Sequence, residues 1–177
     1  GVFGRRFDSA GSPAGSDFQV NSYTTGGQYY PSVAANSSGN FVVVWMSRIQ
    51  DGAEFGVFGK RYDSLGVPQG GEFQVNTYTT GSQQDPSVAA DSWGNFLVAW
   101  RSNPQDGSFW GVSGQRFDSA GTPLGSEFQV NSYTTSHQYH QALAADGSGN
   151  FVVAWESYLQ DGSGTAIVGR QMTVQVP

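Results

Sequence analysis

The sequence has no cysteine and little charge, and both absences narrow what the chain can be. Without cysteine, neither a disulfide framework nor a thiolate metal site can form. Only 8 residues are Lys or Arg, Lys60 is the single lysine, and the formal net charge is −6. Because phosphate backbones are bound by clustered Lys and Arg, we expect no nucleic-acid partner. No apolar run approaches the roughly 18 residues of a membrane-spanning helix, so we expect no membrane insertion.

Aromatic residues, by contrast, are plentiful at 14%, and 25 of the 177 residues are glycine. Disordered chains are poor in aromatic residues, so this composition predicts a folded chain with a buried core. The length fits one domain or a piece of one. Gly1 falls inside a repeated motif and is not preceded by Met, which predicts a processed chain or a piece of a longer one.

One motif recurs at a fixed spacing. Phe18-Gln-Val-Asn21 returns as Phe73-Gln-Val-Asn76 and Phe128-Gln-Val-Asn131, a period of 55 residues (73 − 18 and 128 − 73). The same period links Gly-Asn-Phe triplets, Gln-Asp-Gly triplets and three tryptophans. We divide the chain into repeat units over residues 1–30 (partial), 31–85, 86–140 and 141–177 (partial). Repetition at a fixed period of this size is typical of solenoid and propeller architectures.

Each unit predicts four short strands and no helix. In the best-defined unit the predicted strands are 86–90, 95–100, 111–117 and 127–131, with turns at 91–94 and 118–125. The second strand is an almost unbroken apolar run, which suits burial on both faces. Asp at the first position and Gly at the fourth position of the 118–121 turn favour type I geometry. The sequence therefore predicts an all-β fold.

Four-stranded units of this length, set side by side, predict β-propeller blades. An immunoglobulin-like sandwich needs about 100 residues and seven strands, which exceeds the period; a β-solenoid, with its usually shorter period, is the weaker alternative. The run Pro86-Ser-Val-Ala-Ala-Asp91-Ser-Trp-Gly94-Asn95-Phe-Leu-Val-Ala-Trp100 resembles the inner two strands of NHL-type propeller blades. The whole unit also resembles the tandem repeats of long secreted or surface-exposed bacterial proteins. That resemblance implies an extracellular, non-enzymatic module.

Three and a fraction blades are too few to close a propeller, which typically has four to eight. Two solutions stay open. The chain belongs to a longer propeller, or copies of it close the ring as a homo-oligomer. The tail 171–177 lacks the turn motif of Arg116-Phe-Asp-Ser119 and predicts an atypical end unit.

Residues repeated in every unit are expected to be architectural, because every blade must solve the same packing problem. Trp45, Trp100 and Trp155 are expected to wedge between blades. Arg6, Arg61 and Arg116 are expected to pair with the aspartate two residues later in the chain. The Gln-Asp-Gly triplets predict turns, with calcium binding as the weaker alternative, because each loop offers one carboxylate where calcium needs six to eight oxygens. The candidate calcium ligands are Asp51, Asp106 and Asp161.

Two connections of each blade, from strand two to three and from strand four to the next strand one, should emerge on one face. This face collects amide, carboxylate and aromatic side chains. Such a combination suits carbohydrate, because sugar rings stack on aromatic faces and polar groups bond the hydroxyls. The candidate ligand-binding residues are Gln28, Tyr29, Tyr30, Gln83, Gln138, Tyr139, Phe55 and Trp110.

These observations predict a non-enzymatic, secreted or cell-surface module with a structural, scaffolding or adhesion role. The alternative is a lectin-like propeller that binds glycans weakly at one site per blade. An enzyme is the third interpretation, because Asp85 and Glu156 break the repeat and propellers bring distant carboxylates together near the axis. No nucleophile or metal-protease motif accompanies them, and no cofactor is expected.

Overall fold

The computed structural model describes residues 1–107 and 109–173, which form strands joined by turns. No helix that could cross a membrane occurs among these residues. Glycine-rich turns break the chain at regular intervals, and the apolar and β-branched runs between them form the long strands. The strands are β1 (Phe3–Gly4), β2 (Phe18–Gln19), β3 (Gln28–Ala35), β4 (Phe41–Arg48), β5 (Phe55–Tyr62), β6 (Phe73–Gln74), β7 (Ser82–Ala90), β8 (Phe96–Asn103), β9 (Gly111–Phe117), β10 (Phe128–Gln129), β11 (Gln138–Ala145), β12 (Phe151–Tyr158) and β13 (Thr165–Met172).

Each repeat folds into one antiparallel meander, which we call a blade. Blade 1 contains β3 to β6, blade 2 contains β7 to β10, and blade 3 contains β11 to β13. Strands β1 and β2 form a separate antiparallel pair, and one parallel bridge between Phe55 and Ser82 joins blades 1 and 2. The predicted all-β fold with propeller blades is confirmed. In the described residues the propeller is an open arc rather than a closed ring.

The predicted strands of blade 2 are present, with two changes of length. The first strand begins at Ser82 rather than at Pro86, because a bulge between Gln84 and Ser87 lets pairing continue across the proline. A bulge accommodates a residue that cannot donate to the ladder. The fourth strand is reduced to Phe128–Gln129. The predicted turn at 118–121 is closed by a 2.9 Å bond from the Gly121 amide to the Asp118 carbonyl.

The hydrophobic core lies between blades rather than inside one. We call the side of a blade that meets the next blade its leading face, and the opposite side its trailing face. The leading face of blade 1 (Val42, Val44, Val57) packs on the trailing face of blade 2, which includes Val88 and Trp100. One repeat later, Leu97, Ala99 and Val112 of blade 2 pack on Val153 and Trp155 of blade 3. The predicted wedge position of the three repeated tryptophans is confirmed, since all three are buried between blades.

Hydrogen bonds between blades repeat at the same 55-residue offset. The Ser37 hydroxyl donates to the Ser92 carbonyl at 2.9 Å, and the Ser92 hydroxyl donates to the Gly147 carbonyl at 2.5 Å. On the opposite end of the blades, the Glu72 carboxylate accepts from the Ser22 amide at 2.6 Å. Adjacent blades are therefore related by one stacking arrangement that is used again at each junction.

The predicted pairing of the repeated arginines with nearby aspartates is wrong. Arg61 donates from Nη1 to the Ser119 carbonyl and from Nη2 to the Gln69 carbonyl, both at 2.8 Å. Asp63 Oδ1 instead accepts from the backbone amides of Leu65 and Val67 within its own turn. Because the carboxylate closes the turn, the guanidinium is free to connect its blade to the next one.

Arg6 repeats this arrangement with the Ser64 and Ala14 carbonyls. The acceptor equivalent to Ser64 and Ser119 for Arg116 would be residue 174, which lies outside the described residues. Most of the predicted atypical tail, from residue 174 onward, also lies outside them.

Candidate functional site

The candidate site lies on the face where the two predicted sets of loops meet, which we call the upper face. It is formed by the described parts of the connections between strands two and three (49–54, 104–107 with 109–110, and 159–164), together with 20–27, 75–81 and 130–137. One side-chain bond joins the two sets directly, since Asn76 Nδ2 donates to Asp51 Oδ2 at 3.4 Å. Backbone bonds from the strand ends Arg48 and Tyr158 to the carbonyls of Gly27 and His137 also bring the two sets together. The predicted emergence of both connections on one face is confirmed.

The three repeated glutamines of the candidate set are buried below this face. Gln83 Nε2 donates to the Thr80 carbonyl at 3.0 Å, and its Oε1 accepts from Asn76 Nδ2 at 3.3 Å. Gln28 and Gln138 make the same pair of contacts in their own loops. Both ends of each amide are thus used to hold the loop between strand four and strand one. Their position assigns them to loop architecture rather than to ligand contact.

Three aromatic members of the predicted set lie together on blade 1. Tyr29 and Tyr30 are 48% and 62% exposed, and the rings of Tyr29 and Phe55 meet edge to face at 6.4 Å. They line an open cleft of about 380 Å³. The other residues lining this aromatic cleft are Met46, Arg48 and Glu54.

The bulge in the first strand of every blade carries an unusual backbone conformation. Tyr30, Asp85 and His140 occupy equivalent positions, one repeat apart, with φ of 52°, 52° and 55°. A non-glycine residue in this left-handed region carries strain, and such residues concentrate at functional sites. These positions also differ in residue type between copies. The break in the repeat at Asp85 was visible in the sequence, whereas the left-handed backbone conformation that these three positions share was not.

In blade 2 the bulge is the centre of a charged cluster. Asp85 Oδ2 lies 2.9 Å from Arg101 Nε, and Gln84 Oε1 accepts from Arg101 Nη2 at 2.7 Å. The guanidinium also stacks over the Trp110 ring, 4.5 Å from its centroid. Trp110 was predicted as a ligand platform, and the structure gives one of its faces to Arg101. Gln141 of blade 3 donates to the Asp85 carbonyl, which ties the two bulges together.

In blade 3 the equivalent positions hold a different set. His140 Nδ1 lies 3.1 Å from the Glu156 carboxylate. The Tyr139 and His140 rings meet edge to face at 4.9 Å, and the His137 ring lies tilted against Phe109 of the blade 2 loop, with the centroids 4.8 Å apart. Tyr139, predicted from the sequence, thus belongs to an aromatic group whose other members sequence reasoning did not include.

The aspartates considered for calcium serve the loops that contain them. Asp51 Oδ1 accepts from the Ala53 amide at 3.1 Å, and its Oδ2 accepts from Asn76 Nδ2 at 3.4 Å. Asp106 lies within 3.5 Å of Gln129 Nε2, and Asp161 accepts from the Ser163 amide at 3.1 Å. Within residues 1–107 and 109–173, no group of three or more acidic or histidine side chains could hold a metal ion. The geometry gives the calcium alternative no support.

Comparison with known proteins identifies the fold and no family. No protein-family model matches the chain, and no curated protein matches it either. Among solved structures it is similar to a protein of unknown function from Dyadobacter fermentans, with 11% identity and a TM-score of 0.59 over 88% of this chain and 54% of that one. A microbial sialidase follows at 13% identity and a TM-score of 0.58, over 83% of this chain and 35% of that one.

An endo-arabinase from Bacteroides thetaiotaomicron is also similar, at 13% identity and a TM-score of 0.54, over 84% of this chain and 57% of that one. The chain thus spans between a third and three fifths of the length of these structures. Identities this low support a shared fold alone. They agree with a propeller arc, and the NHL-type resemblance of the blade sequence stays a prediction.

Proposed function

We propose that the chain is a non-enzymatic β-propeller module, secreted or on the cell surface, that acts in adhesion by binding glycans on its upper face. The observation that carries this proposal is the aromatic cleft of blade 1, where Tyr29, Tyr30 and Phe55 meet beside Arg48 and Glu54. A purely structural blade has no need to keep two tyrosines solvent-exposed at a strained bulge.

The chemistry of the cleft fits a sugar better than an apolar ligand. Aromatic faces offer stacking surfaces for the C–H side of a pyranose or furanose ring. Arg48 and Glu54, which line the same cleft, supply a donor and an acceptor for its hydroxyl groups. In small-ligand sites, a few polar groups placed beside aromatic rings typically fix the orientation of the bound ligand. A shallow, open cleft also favours weak binding that gains strength through several copies.

The structure favours binding at blade 1 over one identical site in each blade. The position of Tyr30 is taken by Asp85 in blade 2 and by His140 in blade 3. Phe55 is replaced by Trp110, which carries Arg101 on one face, and then by Thr165. Three equal sites would require similar side chains at these places. We therefore assign the glycan site to the blade 1 cleft.

The non-enzymatic part of the proposal rests on the two carboxylates that break the repeat. Glycoside hydrolysis uses a pair of carboxyl groups that flank the bond to be broken. Here Asp85 is engaged by Arg101 at 2.9 Å, and Glu156 by His140 at 3.1 Å. Each carboxylate already has a basic partner within its own blade, which supports a binding role for this face.

The test measures binding of the unmodified chain to immobilised arabinan, xylan and sialylated glycans. The same binding is then measured for two variants. Tyr30→Ala and Phe55→Ala should each weaken binding about fivefold, since a ring contact is worth about 1 kcal/mol. Leu65→Ala is the matched control, because Leu65 is an exposed apolar residue on a turn away from the cleft. Failure of the unmodified chain to bind any member of the panel would sink the proposal. Release of reducing sugar from the same polymers would instead make the protein an enzyme.

A further inference from the structure

The two ends of the arc leave apolar blade faces uncovered, and the covered junctions show what such faces accept. Val33, on the trailing face of blade 1, is 64% exposed, whereas its equivalent Val88 in blade 2 is 6% exposed. Val152, on the leading face of blade 3, is 45% exposed, whereas its equivalent Leu97 is fully buried. Inside the chain, a leading face packs on a trailing face at two junctions between blades. The two ends expose one face of each kind, so together they could form a third junction of the same type.

At the N-terminal end the uncovered surface is a groove of about 500 Å³. One wall is the trailing face of blade 1, with Val33, Ala35 and Val43, and the other is the β1–β2 pair, with Val2 and Phe18. Val2 and Val20 already pack on Trp45, as Val57 and Val75 pack on Trp100 one repeat later. Strands β1 and β2 therefore occupy the third and fourth places of a blade whose first two strands are missing.

At the C-terminal end the first strands of a blade are present and the fourth strand is lacking among the described residues. Blade 3 consists of β11, β12 and β13, and no fourth strand pairs with β13 among the described residues. In blades 1 and 2 the third strand pairs with the second on one side and with the fourth on the other. Strand β1 has a fourth-strand partner and lacks a second strand. The two ends carry matching halves of one blade.

We propose that two copies of this chain join head to tail, with β11 and β12 of one copy entering the groove of the other. The shared blade then contains β11 and β12 from one chain and β1 and β2 from its partner. Each chain contributes two complete blades and half of each of two shared blades. Two copies therefore give four complete blades and two shared blades, a ring of six. That number lies within the four to eight blades of closed propellers, whereas three copies would give nine. Closure also removes the open strand edges.

One of two strands must leave the shared blade, because Val2 of β1 and Ile167 of β13 occupy equivalent places, three repeats apart. We assign the third-strand place of the shared blade to β1, since β1 arrives with its fourth strand already paired. Gly1-Val-Phe-Gly4 also repeats Gly56-Val-Phe-Gly59, whereas β13 reads Ala166-Ile-Val-Gly169. In the single chain Ile167 is 76% exposed and its equivalents Val57 and Val112 are fully buried. Displacing β13 removes Val168 and Met172 from the blade 3 core, and Phe3 and Phe7 of the incoming chain, which are exposed in the single chain, stand at the equivalent places to replace them.

The experiment measures the native mass of the 177-residue chain by light scattering at micromolar concentration. The expected mass is twice 18.9 kDa. Val33→Asp and Val152→Asp should each reduce it to the single-chain mass, because each places a charge in one half of the junction. Both side chains are exposed in the single chain, so the variants should fold, which far-UV circular dichroism checks. Leu65→Asp is the control and should leave the dimer intact.

Ile167→Asp tests the strand assignment. If β1 fills the shared blade, a charge on β13 lies outside the junction and the dimer persists. A single-chain mass for Ile167→Asp would place β13 in the junction and overturn the shared blade. A dimer that survives either Val33→Asp or Val152→Asp is not joined head to tail. A single-chain mass for the unmodified protein would overturn self-association itself and leave further blades as the occupant of both faces.

Discussion

Residues that recur at every blade and residues that differ between blades have separate roles in this chain. The recurring Asn76 illustrates the first kind: its side chain accepts from the Val57 amide and donates to the Tyr78 carbonyl. Asn21 and Asn131 make the same contacts in their own blades. The second kind is concentrated at the strained bulges of the upper face. Architecture is thus assigned to shared positions, and the proposed glycan site lies at positions that vary between blades.

Tyr62 has an ionisable hydroxyl at a position where the other two repeats have phenylalanine, Phe7 and Phe117. Burial, together with the charge of Glu72, raises the pKa of Tyr62 to about 12 from its ordinary value of 10.0. The folded state therefore holds this phenol proton more tightly than the unfolded chain. Its contribution to stability is complete below pH 10 and is lost as the pH rises towards 12.

We expect Tyr62→Phe to remove that alkaline loss while folding normally at neutral pH. The urea midpoints of the two proteins should run parallel up to about pH 10 and then converge or cross, because only the unmodified chain must ionise a buried phenol. Denaturation series between pH 7 and pH 12 measure this. Midpoints that stay parallel over the whole range would show that Tyr62 ionises without cost to the fold.

Tyr30 offers a test of backbone strain at the bulge. Its φ of 52° suits glycine, and its side chain is mostly exposed, so little packing is lost on truncation. We expect Tyr30→Gly to be more stable than Tyr30→Ala by about 1 kcal/mol, since only glycine relieves the strain. Thermal unfolding of the two variants measures the difference. If Tyr30→Ala is equally stable, the bulge is not strained. Both variants should weaken the glycan binding proposed for the cleft, by about fivefold as expected for one lost ring contact.

At the scale of elements, the stability of the arc depends on side chains that reach from one blade to backbone atoms of a neighbouring blade or loop. Arg61 spans blades 1 and 2 through Ser119, and Glu127 of blade 2 accepts from the Thr77 amide at 2.6 Å in the loop that precedes that blade. Charged groups that bond backbone atoms hold loops more firmly than exposed ion pairs do. The blades are therefore joined by specific polar contacts as well as by the apolar core.

We expect Arg61→Met to lower the free energy of unfolding by about 1–2 kcal/mol, because two carbonyls lose a charged donor while the apolar stem is kept. The matched control is Arg5→Met, whose exposed ion pair with Asp17 at 3.5 Å is worth less than about 1 kcal/mol. Urea unfolding of both variants measures the comparison. Equal losses would mean that the bridge between blades adds nothing beyond an ordinary surface contact.

Sequence patterns predicted the elements well and the direction of single side chains less well. The period and the apolar run Phe96-Leu-Val-Ala-Trp100 sufficed for the blades, because a strand buried on both faces leaves a clear pattern. Gln83 was misplaced on the ligand surface, since a pattern of polar residues does not distinguish an amide pointing out from one bonded beneath a loop. The left-handed bulge at Asp85 was missed because glycine, the usual signal for that conformation, is absent there.

In blades 1 and 2 a repeated glycine makes room for the aspartate of the Gln-Asp-Gly loop. A side chain at Gly56 would collide with the Asp51 carboxylate, and one at Gly111 with that of Asp106. In blade 3 the equivalent residue is Ala166, and Asp161 there is exposed. The third Gln-Asp-Gly loop therefore differs from the other two for a steric reason, although its sequence is the same.

For the molecule as a whole, the open arc implies that backbone amides are best protected from solvent exchange in the middle blade and less protected in the end blades. Blade 2 is covered on both faces, by Val42 and Val44 on one side and by Val153 and Trp155 on the other. Blade 3 is covered on its trailing face alone in the single chain, and Val152 and Ile167 face solvent. Backbone amides exchange with solvent through local opening, which is easier where fewer apolar contacts must separate.

We therefore expect amides of β8 and β9 to exchange more slowly than those of β12 and β13 in the Val33→Asp variant, in which the single chain is isolated. Hydrogen exchange followed by mass spectrometry resolves the two blades, since they yield different peptides. In the unmodified chain, head-to-tail closure should slow exchange in β12 and quicken it in the displaced β13. Equal rates in blades 2 and 3 of the variant would mean that the arc opens as one cooperative unit, because contacts between blades couple the end blade to the middle one.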